Sequence, residues 1–343
     1  MLARGGFVLV KRDSRFELLR IISILMITVS HFSIYGNWSN LGSITPLETL
    51  KILSLDALGP IGAVIFFMIT GFFISNKDLV QKIKKTQVKV RTVWGKTFFY
   101  SVSMLFISKL LGIAVPIKIL VKCILPFTMN EYWFVTCYII MILFSPFLDI
   151  VIKRINFKQH SYILAIFLGL MFVELVEDNI VNRLVLAFFS YFVGSYIRLY
   201  QDELSKVKNT ILYIGIMILF SIDLLSIFLS RLIGISFGHS AHFTQYVLPV
   251  LISFCIFLII VRVNSFTNDV INKLAPSTIV VYLITENAAF SHHMWANILN
   301  VGQYQDSAYF YLFALIITLL LYIACTIIDI FLVRLKNLVL ALI

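Results

Sequence analysis

The chain has 343 residues, 60% of them hydrophobic and 13% charged, with a mean hydropathy of +0.96. Soluble domains run nearer roughly 45–50% apolar and ~25% charged, so composition excludes an ordinary soluble globule and indicates a polytopic membrane protein. The net charge of +11 does not mark a nucleic-acid binder, because the charges follow a membrane topology.

Read in chain order, apolar stretches of membrane-crossing length predict about ten helical spans. They cover residues 18–35, 55–75, 93–112, 132–151, 160–176, 183–200, 210–230, 244–262, 277–298 and 307–333. The first seventeen residues hold a basic start and a short apolar patch without a small-residue cleavage site, so no cleavable signal peptide is expected. With the N-terminus in the cytoplasm, the inner segments carry 22 Lys and Arg and the outer ones six. That asymmetry predicts that both termini are cytoplasmic. The expected fold is an all-α polytopic helix bundle forming a single integral-membrane domain over 1–343, because no linker or repeat divides the chain and its loops are short.

The first span carries Arg20 and His31, ionisable groups that an apolar segment does not hold without cause. Eleven steps at ~100° come to about three turns, so both project from one face, ~16 Å apart along the axis. Arg20 has two readings: snorkelling from the helix end to lipid phosphates, or gripping an anionic ligand bidentately. Glu17, three residues earlier, is placed to orient its guanidinium. His31 lies too deep to snorkel inward. It is either a histidine bonded across helices or a neutral imidazole able to act as a general base.

Between the second and third spans, residues 75–96 form a loop with the densest basic cluster: Lys77, Lys82, Lys84, Lys85, Lys89, Arg91 and Lys96. Most serve orientation and attraction to anionic lipid. Lys89, Arg91 and Lys96 lead directly into a span and can face a polyanionic ligand at its mouth; Arg91 is the foremost of them. The amphipathic segment 112–133 lies at the interface or re-enters the membrane, and it ends on Glu131, Tyr132 and Trp133. An aromatic anchor at headgroup depth is one reading of Tyr132 and Trp133, and a part in the site is the other.

Further acids in or near spans are Asp56, Glu174, Asp223, Glu286 and Asp329. Glu286, with Asn287 beside it, is the deepest in its segment, and intramembrane carboxylates are functional candidates by default. His239, His242, His292 and His293 lack a carboxylate at ligand spacing, so no metal is expected. Cys123, Cys137, Cys255 and Cys325 form no CxxC pair and read as packing residues. No phosphate-binding glycine loop, nucleophile elbow, HExxH or dinucleotide fingerprint occurs, which argues against a conventional ATPase or serine hydrolase.

Four segments resemble the integral-membrane acyltransferase-3 family, of the type that O-acetylates cell-surface polysaccharides. RFELLRIISILMITVSHF over 15–32 resembles its first helix, with an acid, an arginine and a histidine after ten intervening residues. FFMITGFFIS over 66–75 is similar to its Phe-Phe-x-x-Ser-Gly-Phe helix, with Thr70 for the serine. EYWFVTCYIIMILFSPFLD over 131–149 looks like its Tyr-Trp-Phe…Ser-Pro-Phe-Leu helix, and STIVVYLITENAAF over 277–290 resembles the penultimate helix. That helix often reads Tyr-Leu-Ile-His; Thr285 stands at the histidine, and no catalytic role carries over to it. The basic pair entering the third helix is usually Arg-x-x-Arg, whereas this chain offers Lys89, Arg91 and Lys96 in another spacing.

The resemblance implies transfer of an acyl group, most often acetyl, from cytoplasmic acetyl-coenzyme A to a hydroxyl of an extracytoplasmic or lipid-linked glycan. It implies a bacterial plasma membrane, no tightly bound cofactor, and partners in the bilayer and the polysaccharide-synthesis machinery. His31 then acts as general base or transient acyl acceptor, and Arg20 orients the donor or stabilises negative charge. Lys89, Arg91 and Lys96 hold the donor. Glu17, Glu131, Tyr132, Trp133, Glu286 and Asn287 support the site or the substrate. Ten spans with intramembrane charge also suit a transporter or flippase of a lipid-linked glycan, or a non-catalytic subunit of a synthesis complex.

Overall fold

The computed structural model describes residues 12–39, 44–74, 78–173, 180–235 and 246–342. Helices account for all its regular structure, with no strand among the described residues. The first, α1 (Ser14–Tyr35), starts on Asp13, whose carboxylate accepts the Arg15 backbone N–H at 3.1 Å. No Gly or Pro interrupts it before Gly36. A capping box between Thr45 and Glu48, with Pro46 in the first turn, opens α2 (Pro46–Asp56), which runs almost directly into α3 (Leu58–Phe72). There follow α4 (Leu79–Leu110), α5 (Ile117–Ile124), α6 (Trp133–Ile152), α7 (Phe157–Val173), α8 (Ile180–Leu199), α9 (Gln201–Ser205) and α10 (Asn209–Leu232). Next are α11 (Val247–Arg262), α12 (Asp269–Leu274), α13 (Thr278–Thr285), α14 (Ser291–His293) and α15 (Phe310–Leu342).

Six of these stretches are long and apolar enough to cross a membrane: Ser14–Tyr35, Pro46–Phe72, Trp133–Ile152, Ile180–Leu199, Asn209–Leu232 and Phe310–Leu335. The apolar Val247–Arg262 is shorter. The chain is thus an all-α, multi-pass membrane bundle. Lipid is as apolar as a leucine side chain, so close packing and hydrogen bonds, more than exclusion of water, hold such helices together. The tightest seam joins α3 to α8. A Cβ on Gly71 would fall 2.0 Å from the Tyr191 carbonyl oxygen, and one on Gly194 would fall 2.1 Å from that of Met68. The two glycines let the backbones touch, and α1 packs on the other side of α3. Polar bonds add to the packing: Ser30 Oγ donates to Asp56 at 2.8 Å and Ser33 Oγ to the Ile52 carbonyl at 2.8 Å, tying α1 to α2.

Two segments differ from the sequence expectation. The basic stretch read as a loop over 75–96 is helical from Leu79 onward and continuous with the third span as one 32-residue helix. Asp78 caps it by accepting the Gln81 N–H at 2.9 Å, and no Gly or Pro occurs until Gly95. The span read as unbroken over 277–298 is interrupted after Thr285 and resumes at Ser291, leading into a π-helical turn, Met294–Ile298. Asn287 causes the break locally. Its side chain accepts the Ala289 N–H at 3.1 Å, while its carbonyl takes the N–H groups of Phe290 and Ser291. Glu131 then accepts the Ala288 N–H at 2.7 Å. Irregular backbone in a membrane bundle survives only where protein satisfies its polar groups, and here it is enclosed.

Candidate active site

The break in the ninth expected span sets Glu286 against the first helix. His31, 4% exposed, presents Nε2 to Glu286 Oε2 at 2.9 Å and Nδ1 to Thr285 Oγ1 at 3.0 Å. The Thr285 hydroxyl has one hydrogen, which it donates to the Val281 carbonyl at 2.8 Å. Towards His31 it therefore accepts, which makes Nδ1 the protonated nitrogen. Nε2 and the Glu286 carboxylate thus stand in direct contact. The Tyr282 ring, fully buried, packs 5.9 Å from the imidazole.

This pair opens on a cavity of about 100 Å³ whose lining includes Asp56, Trp133, Arg183 and Tyr282. It has room for a few waters or one small acyl group. Arg183 stacks over the Trp133 ring at 4.5 Å, a cation held on an aromatic face at the cavity wall. Behind the break, Asn287 donates to the Tyr132 hydroxyl at 2.7 Å, and Tyr132 is 1% exposed. Burial pushes the Glu131 carboxyl upward, partly offset by its hydrogen bond from Ala288. Glu131, Tyr132 and Asn287 thus brace the interruption that aims Glu286, while Trp133 lines the cavity itself.

Arg20 belongs to a second cavity, of about 210 Å³, at the other end of α1. Its guanidinium bonds Glu17 at 2.7 Å. Facing it across the cavity are Lys82, Lys85 and Lys89 from α4, with Thr70, Asp149 and Tyr191. The lysines lie at i, i+3 and i+7, one stripe of the helix. Lys82 pairs with Asp149 at 3.0 Å, both buried, and the Tyr191 hydroxyl donates to the same carboxylate at 2.6 Å. Lys89 sits over the Tyr138 ring at 5.1 Å. Four cations against two paired acids, Glu17 and Asp149, leave this hollow net positive.

The other expected donor ligands lie elsewhere. Arg91 is on the exposed face of α4 and lines neither cavity. Lys96 is spent on Asp329 at 3.1 Å, and Tyr100 and Ser277 donate to that carboxylate too, a bond cluster tying α4 and the start of α13 to α15. Lys82 and Lys85 had stood only among the general basic cluster, although the helical stripe was readable once the segment is taken as helix. The partnership of Thr285 with His31 had no signal in sequence, since the two are 254 residues apart. Asp223 is fully buried on α10 and lines neither cavity. Glu174, Lys77, His239 and His242 fall outside the described residues. Among the described residues no cluster of three or more His, Cys, Asp or Glu could hold a metal ion.

A family model described as an acyltransferase domain, that of the acyltransferase-3 family, matches residues 13–335. The chain belongs to the acyltransferase-3 family. No curated protein and no solved structure matches it. Membership makes the protein a membrane acyltransferase and sets aside the transporter reading. Both cavities lie within the matched residues.

Proposed function

We propose that the protein is an O-acetyltransferase that moves acetyl from cytoplasmic acetyl-coenzyme A to a hydroxyl of a cell-surface polysaccharide. The observation that carries the reading is the division of labour along α1. A basic hollow surrounds Arg20, and an imidazole–carboxylate pair surrounds His31, ~16 Å further along the helix axis. Coenzyme A has a polyanionic head on a long thin arm, so its phosphates suit Arg20, Lys82, Lys85 and Lys89 while its thioester reaches inward. The charge asymmetry of the loops puts the Arg20 end in the cytoplasm and the His31 end towards the outside.

In this mechanism the acceptor hydroxyl replaces the Glu286 contact at His31 Nε2. Nε2 takes the hydroxyl proton as the oxygen attacks the thioester carbon, and Glu286 stabilises the imidazolium so formed. The C–S bond breaks, and the coenzyme A sulfur receives that proton from Nε2, leaving ester and free thiol. Thr285 favours this route over an acyl-histidine. Its own hydrogen is committed to Val281, so it offers Nδ1 no proton exchange, and an acylated ring would remain cationic.

Membranes holding the protein, supplied with labelled acetyl-coenzyme A and the surface glycan, should incorporate label at one acetyl unit per modified sugar. In a normally inserted His31→Ala variant, incorporation should fall by about 10²–10⁴-fold, the usual contribution of a general base. Unchanged incorporation there would exclude His31 from the chemistry.

A further inference from the structure

A third hollow adjoins the basic one at the Arg20 end of the bundle. Asp13, Arg15, Phe16, Phe73, Arg198 and Gln201 are among its lining residues. Phe73 lines both hollows and so marks where they meet. It is held edge-on against Phe16 and Phe72, with ring centroids 4.9 and 5.5 Å away, yet stays 52% exposed. A ring fixed by its neighbours with half its surface open is a stacking platform for a flat heterocycle.

The charges of this hollow are unequal in their commitments. Arg15 binds Asp13 at 2.6 Å and donates to the Val261 carbonyl at 2.9 Å and to that of Val263. The Arg15 hydrogen bond holds the Asp13 carboxyl below its usual range, so the pair is closed and neutral. Arg198 differs. Its side chain is exposed, lies 5.4 Å over the Phe72 ring, and forms no ion pair among the described residues. It leaves one net positive charge beside an aromatic platform, next to a hollow where Lys85 and Lys89 stand without an ion pair among the described residues.

We infer that this hollow holds the 3′-phosphoadenosine end of the donor, with adenine on Phe73 and the 3′-phosphate on Arg198. The inference rests on the acyl-coenzyme A reading above and deepens it. The donor carries its phosphates in two places, a diphosphate within the chain and a monophosphate on the ribose beside the base. Two adjoining basic hollows with an aromatic ring at their junction match that order: diphosphate among Arg20, Lys82, Lys85 and Lys89, then base, then the lone phosphate. Guanidinium suits that last position because it meets phosphate oxygens with paired N–H groups.

The experiment compares acetyl-coenzyme A with acetyl-3′-dephospho-coenzyme A as donors for membranes holding the wild-type protein or Arg198→Ala. Wild type should show a KM about tenfold lower for the complete donor, the effect of one charge-assisted phosphate contact. Arg198→Ala should raise the KM for acetyl-coenzyme A by about the same factor and leave that for the dephospho donor unchanged. Phe73→Leu should raise both together, because both carry adenine. Equal KM values for the two donors in wild type would overturn the assignment without touching the acyl-transfer reading. So would an Arg198→Ala variant that keeps the wild-type ratio, as a lipid-phosphate site would give. Transfer from neither donor by wild type would instead remove the coenzyme A reading, and this inference with it.

Discussion

His31 draws its proton inventory from a neighbour that carries no charge. The Thr285 hydroxyl, already donating to Val281, accepts from Nδ1 and so makes it the protonated nitrogen. The consequence is a single orientation of the ring, with Nε2 aimed at Glu286. Thr285→Val preserves the shape but removes the acceptor, leaving a buried N–H unsatisfied at a cost of about 1–3 kcal/mol. Thr285→Val should therefore lower kcat by roughly 10–100-fold with little change in donor KM, and Thr285→Ser should restore most of it. Equal loss in both variants would mean that Thr285 contributes only packing. The suspicious residues of the first helix were legible in sequence because ionisable groups stand out in an apolar run. Thr285 was not, because a hydroxyl in such a run is ordinary and its partner lies at the other end of the chain.

At the scale of elements, two departures from regular expectation build the two cavities. The helix α4 continues through what composition alone reads as a loop, and this regular winding gathers Lys82, Lys85 and Lys89 into one stripe. Lys84, between two of them in sequence, lies off that stripe and does not line the hollow. Lys85→Ala should raise the donor KM by about tenfold, the loss of one charge-assisted contact, whereas Lys84→Ala should leave it near the wild-type value. Parallel titration of donor saturation in the two variants tests this, and equal effects would point to a diffuse surface potential instead of a built site. The second departure is the break after Thr285. Apolarity and length predict a continuous span there, and only the side-chain bonds of Asn287 and the distant Glu131 reveal why the backbone turns aside. Such breaks depend on tertiary partners, which hydropathy does not record.

The whole molecule divides its polar chemistry between opposite ends of one apolar bundle. Class, helical content and the separation of Arg20 from His31 followed directly from composition and periodicity, because a bilayer permits few architectures. The choice of cations did not. Which basic residues of α4 face a cavity depends on how α4 rotates against α6, and packing at glycine contacts such as Gly71 and Gly194 sets the neighbouring seam between α3 and α8. In the proposed reaction the donor enters at one end and the acceptor at the other, with the imidazole–carboxylate pair between them and apart from the basic hollow. The most direct test supplies labelled acetyl-coenzyme A to one side at a time of sealed vesicles in which the protein has a single known orientation. Label should reach glycan confined to the His31 side only when the donor is on the Arg20 side, and His31→Ala should abolish it. Transfer that requires donor and glycan on the same side of the membrane would contradict the account.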